Sequence, residues 1–78
     1  MKEYKIVIDN INKVKEFSAA LAKYAFDLDI CSDRYIIDAK SIMGIFSLDI
    51  SKTLTLKALT DDSAEIEKLE KDIKAFLA

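Results

Sequence analysis

The chain has 78 residues, 51% hydrophobic and 33% charged, with a net charge of −2 and a pI near 5.0. That balance fits one small soluble domain over residues 1–78, with a single core. Twelve Lys and Arg dispersed among 14 Asp and Glu leave no basic stripe for nucleic acid, and no apolar run reaches the roughly 20 residues of a membrane span.

Histidine is absent and cysteine occurs once, so there is no imidazole for acid–base or metal chemistry and no internal disulfide. The opening residues, MKEYKIVIDN, lack the apolar centre and cleavage site of a signal peptide. The expectation is a cytoplasmic protein without membrane insertion, nucleic-acid binding or a cofactor.

In chain order, Tyr4, Ile6 and Ile8 alternate with Lys5, Val7 and Asp9, which predicts a first strand with one buried face. Val14, Phe17, Leu21 and Tyr24 then recur at spacings of three and four, so an amphipathic helix is expected over about residues 12–26. Asn10 and Asn12 are both suitable caps for it. Asp27 to Cys31 alternates again, with Leu28 and Ile30 inward, and Arg34 to Asp38 forms a third strand after a turn at Ser32-Asp33. So short a link predicts an antiparallel hairpin, although the turn lacks glycine.

Residues 40–48, KSIMGIFSL, contain the only glycine and the densest apolar cluster. Ser41 stands where an N-cap belongs, heading a short helix. Ile45 and Leu48 are expected in the core, whereas Ile42, Met43 and Phe46 are open to either a core or a surface role. Thr53 to Ala58 alternates cleanly and predicts a fourth strand.

Asp62 and Glu65 have capping-box spacing before a helix whose apolar stripe is Ile66, Leu69, Ile73, Phe76 and Leu77. Glu67–Lys71 and Glu70–Lys74 are spaced for i,i+4 pairs on its outer side. The order β-α-β-β-α-β-α argues for a two-layer α+β sandwich, an antiparallel sheet with helices on one face.

Lys40-Ser41-Ile42-Met43-Gly44, followed by Leu48, resembles the regulatory-serine segment of HPr, the phosphocarrier family of the bacterial sugar phosphotransferase system. The preceding hairpin, the Thr/Leu-alternating strand and the acidic-capped last helix stand in that family's order. The resemblance implies an HPr-like open-faced sandwich with a four-stranded sheet in the order 1-4-2-3. It also implies phosphoryl transfer through a histidine at the start of the first helix, assisted by an arginine. Residues 9–17, DNINKVKEF, contain neither. Asn10, Asn12 or Lys13 falls near the missing histidine, depending on the gap chosen, and neither an amide nor a protonated amine replaces an imidazole as acceptor.

Ser41 is then the candidate phosphorylation site, and Ile42, Met43 and Phe46 are the candidate partner-binding residues. The resemblance implies a non-catalytic regulatory or interaction protein, not an enzyme, whose partners would be HPr kinase/phosphorylase or other phosphotransferase-system regulators. Three readings compete with this. Ser41 serves as a plain cap in an HPr-fold interaction module unrelated to phosphorylation or sugar transport. An aspartate replaces the carrier histidine, although no carboxylate shows an evident base or arginine beside it. Cys31 acts as a nucleophile, although its strand places it with Asp27 and Asp29 and no histidine activates it. The sequence does not fix the oligomeric state.

Overall fold

The computed structural model describes residues 1–78. Strands β1 (Lys2–Ile6), β2 (Leu28–Cys31), β3 (Ile36–Asp38) and β4 (Leu54–Ala58) form one antiparallel sheet in the order β1-β4-β2-β3. Helices α1 (Ile11–Leu21), α2 (Ile42–Phe46) and α3 (Ser63–Ile73) separate them in the expected succession, and a 3-10 turn, Lys74–Phe76, follows α3. The sheet order implied by the HPr resemblance is the order found.

Period-two alternation decides what each strand buries. Ile6, Leu28, Ile30, Leu54, Leu56 and Ala58 are all buried, while Lys5 lies in solvent and Asp29, Thr55 and Lys57 are half-buried. The helices cover the apolar face with Val14, Phe17 and Leu21 of α1, Ile45 of α2, and Leu69 and Ile73 of α3. Phe17 meets Phe76 edge to face, ring centroids 5.3 Å apart, tying α1 to the chain's last turn.

The first helix is shorter than its periodicity predicts. It ends at Leu21 rather than near residue 26, yet Tyr24 remains buried. The Lys40 ammonium holds the segment that follows. It donates to the carbonyls of Tyr24 (2.6 Å) and Phe26 (3.0 Å), fixing those peptides outside the helical path. Of the two possible caps for α1, Asn10 is the one used, its Oδ1 accepting from the Lys13 N–H at 2.9 Å.

The ladder of β1 also stops early, at Ile6 opposite Leu54, although Ile8 is buried as expected. The chain's last residues continue the pairing instead. The Val7 N–H donates to the Phe76 carbonyl (2.8 Å), the Ala78 N–H donates to the Lys5 carbonyl (2.9 Å), and Ile6 bridges Leu77.

In α3 the Asp62 carboxylate caps the N–H groups of Ala64 and Glu65, but the reciprocal half of the capping box is missing. The Asp62 N–H donates to Thr60 Oγ1 instead. The i,i+4 pairs do not form either. Glu70 turns to the Tyr4 hydroxyl (2.8 Å) and to Lys2 (3.6 Å), contacts that hold α3 over β1.

Tyr24 fastens the other side of α3. Its hydroxyl donates to Asp72, which also pairs with Lys23 at 2.8 Å. Hydrogen bonds from Lys23 and Tyr24 hold the Asp72 carboxyl below its ordinary value, while burial pushes the Tyr24 phenol up. A carboxyl with a depressed folded-state pKa adds stability above its unfolded pKa of about 4, and that increment disappears as pH falls through the folded value. A phenol with a raised pKa adds stability below about pH 10 and loses it as the medium becomes more alkaline. Asp72→Asn is therefore expected to lower the urea midpoint at pH 7 and to flatten its decline between about pH 4 and pH 2. Equal slopes for the two proteins across that interval would contradict the assignment.

Candidate functional site

The site comprises the starts of α1 and α2 and the loop after α2. Asn10 sits in extended backbone, φ −147° and ψ 165°, so its side chain folds over the first turn of α1. Beside it, Lys13 is held by Asp9 at 3.3 Å, and Asp9, Asn10, Ile11, Asn12 and Ile50 line a shallow depression. None of Asn10, Asn12 and Lys13 is a free nucleophile. The first is committed as a cap, the second is an exposed amide, and the third carries an ion-paired ammonium.

Ser41 is the N-cap of α2, as its position ahead of the apolar cluster predicts. Its backbone is extended, φ −97° and ψ 107°, and its Oγ accepts from the Gly44 N–H at 3.1 Å. Its own N–H donates to Asp38 (3.0 Å) and its carbonyl accepts from Ile45 (3.0 Å), so the backbone is fixed on both sides. Ser41 is half-buried. The N–H groups of Ile42 and Met43 open the helix and have no intrahelical acceptor.

Lys40 reaches away from this end, toward the carbonyls after α1, while its own carbonyl accepts from Ser18 Oγ at 3.1 Å. That explains why Ser18 is a polar residue in the core. It ties α1 to the chain just before α2.

The apolar set divides cleanly. Ile45 and Leu48 are buried, as expected. Met43 is 80% exposed, and Ile42 and Phe46 are each 38% exposed, so the three candidate partner-binding residues present a surface. Ile11, 59% exposed, and half-buried Ile50 add to the apolar surface near Asn10. Both were missed in the sequence, although Ile11 stands outside the buried stripe between two asparagines, a visible oddity. Lys40 gave no such signal, because its acceptors lie 14 and 16 residues away.

Gly44 is explained by crowding rather than by a left-handed backbone. No residue in the chain has positive φ, but a Cβ at position 44 would lie 3.3 Å from Ser41 Oγ and 3.4 Å from the Ile37 δ-methyl. The loop that follows is fixed by Asp49. Hydrogen bonds from the hydroxyl and N–H of Ser51 hold its carboxyl below the ordinary range. Cys31 is half-buried on the open face of the sheet, opposite Thr55, and no cluster of His, Cys, Asp and Glu is placed to hold a metal.

Known structures match this arrangement over nearly its whole length. The crystal structure of HPr-C-His from Thermoanaerobacter tengcongensis is 32% identical, with a TM-score of 0.74, covering 96% of this chain and 93% of that one. The chain belongs to the HPr family. A phosphocarrier protein HPr from Bacillus anthracis str. Ames is 26% identical, with a TM-score of 0.72 and the same coverage. No family model and no curated protein matches the sequence. Within the HPr framework, Asn10 caps the helix start at which the resemblance expects a histidine, and the chain has no histidine at any position. Ser41 heads the short second helix, as the regulatory-serine segment implies.

The geometry makes the Ser41 cap and the Gly44 crowding one interaction. Ser41→Ala is expected to lower stability by about 1 kcal/mol, whereas Ser41→Asn, which keeps a capping oxygen, stays within about 0.5 kcal/mol of the parent. Gly44→Ala should yield less than the roughly 1 kcal/mol that helix propensity alone provides, because the methyl presses on the capping oxygen. In a Ser41→Ala background more of that gain should return. Urea titrations of the four proteins measure the coupling, and additive effects would show that cap and methyl do not share the space.

Proposed function

We propose that this HPr-family protein is a non-catalytic regulatory protein of the phosphotransferase system, unable to carry phosphohistidine and switched by phosphorylation at Ser41. The observation that carries the reading is the pairing of a helix start capped by an amide, Asn10, with a second helix start that retains a hydroxyl, Ser41. An amide side chain accepts no phosphoryl group in the manner of an imidazole, so carriage through this position is lost. A phosphate on Ser41 would meet the unpartnered N–H groups of Ile42 and Met43 and the positive end of α2, so its charge is accommodated without unfolding the segment.

The consequence would fall on the adjoining surface. Met43, Ile42 and Phe46 supply an adaptable apolar contact beside Ser41, and roughly two added negative charges there would change which protein binds. Lys40 does not neutralise that charge, since its ammonium is engaged at the end of α1. The effect on partner choice is therefore electrostatic as well as steric. HPr kinase/phosphorylase is the partner that this reading requires, in the cytoplasm.

A second reading draws on the same surface. The exposure of Met43 does not depend on a phosphate, so the chain would serve as an HPr-fold interaction module outside sugar transport. It predicts partner binding that survives Ser41→Asp.

Incubation with HPr kinase/phosphorylase and ATP is expected to add one phosphate by intact mass, to leave Ser41→Asn unmodified, and to label authentic HPr in parallel. Ser41→Asn is the better control because it keeps the cap. An unchanged mass beside a fully modified HPr would reject the serine switch and leave the interaction-module reading.

A further inference from the structure

The two edges of the sheet are treated differently. The β1 edge is covered around Ile6 by the C-terminal residues, whereas the β3 edge carries no further strand. Its only guards are its three-residue length and the charge of Asp38. The strand reads Ile-Ile-Asp, without proline or lysine, and Tyr35 and Ile36 beside it are 63% and 69% exposed. Open edges with apolar side chains are templates for another strand.

The ladder shows which backbone groups are free. Ser32 bonds Tyr35 (2.9 Å) and Ala39 bonds Leu28 (2.8 Å), so the alternation of an antiparallel pair places the bonds to β2 at residues 35, 37 and 39. The N–H and C=O of Ile36 and the N–H of Asp38 therefore point away from β2. The Asp38 carbonyl already accepts from Ser41.

Charge is also unbalanced along this edge. Asp38 lies directly opposite Asp29 across the open face of the sheet, an unfavourable like-charge pair. Lys57 stands opposite Asp29 on the far side and leaves Asp38 without a cation. Arg34, the only arginine in the chain, forms no ion pair and is exposed four residues before Asp38.

We propose that the β3 edge pairs with β3 of a second copy of this chain, antiparallel about a two-fold axis through Ile36. In that register Ile36 meets Ile36 of the second copy and the two exchange both N–H···O=C bonds. Arg34, in the hairpin turn just before the strand, comes beside Asp38 of the second copy, twice, supplying the missing cation, and Tyr35 faces Ile37 of the second copy on the helix side. Moving the axis by one residue to Ile37 would put Ile36 opposite Asp38 and lose the ion pairs. Such self-complementarity is what an isologous dimer requires. The strand is short, so the contact belongs to the small, transient class with a Kd of about 0.1–1 mM.

Sedimentation velocity or dilution-dependent NMR shifts, from about 10 μM to about 2 mM, would read the association. The wild type is expected to dimerise reversibly in that range. Arg34→Glu and Asp38→Lys should each weaken association at least about tenfold, and an equimolar mixture of the two should recover it as a heterodimer. Ile36→Pro removes an N–H that β2 does not use and should leave a folded monomer. If circular dichroism shows that this variant is unfolded, the charge exchange decides alone. A wild type that stays monomeric to about 2 mM overturns the proposal. So does a dimer indifferent to both charge reversals, or one lost on Met43→Lys, which would place the contact on α2.

Discussion

Lys40 joins three parts of the chain that local sequence keeps apart. Its ammonium donates to the carbonyls of Tyr24 and Phe26, and its own carbonyl accepts from the buried Ser18 hydroxyl. These bonds decide how the chain turns from α1 into β2 and how the β3–α2 junction lies against α1. The Tyr24 and Phe26 carbonyls would lack intrahelical donors even in a helix reaching residue 26, and a charged donor to both fixes them in the turn into β2. Ser41 follows directly, so the placement of the candidate modification site depends on bonds that its neighbour makes at the end of α1.

The two helix starts of this HPr-family protein have the same capping physics and different chemical prospects. Asn10 and Ser41 each accept from the N–H three residues on. An amide and a hydroxyl are nearly equivalent as caps. They are not equivalent as acceptors of a phosphoryl group, and the proposed switch at Ser41 rests on that difference. Gly44 belongs to the same arrangement. The α2 start packs closely enough on Ile37 and the Ser41 oxygen that a side chain there would crowd the cap.

Around this centre the outer contacts fasten elements that have few local reasons to stay together. Tyr4 and Tyr24 each donate to a carboxylate of α3, one from the sheet and one from the segment after α1. The last residues cover the free edge of β1 around Ile6. The opposite edge has no such cover, and its exposed isoleucine and unpaired charges are consistent with a surface that meets another strand.

The sequence by itself determined the strand alternation, the apolar stripes, the caps at Ser41 and Asp62, and the absence of an imidazole. Periodicity and capping are short-range properties, and no fold supplies a residue the chain lacks. Tertiary structure decided the early end of α1, the diversion of Glu70 from Lys74 to Tyr4, and the covering of β1 around Ile6 by the C-terminal residues. It also decided that Met43, Ile42 and Phe46, open to either role in the sequence, face outward. An apolar run such as IMGIFSL is hydrophobic on every side, so its own pattern does not say which side is covered. That depends on how Lys40 and Ser18 set α2 against α1, a contact across 22 residues that local spacing does not encode.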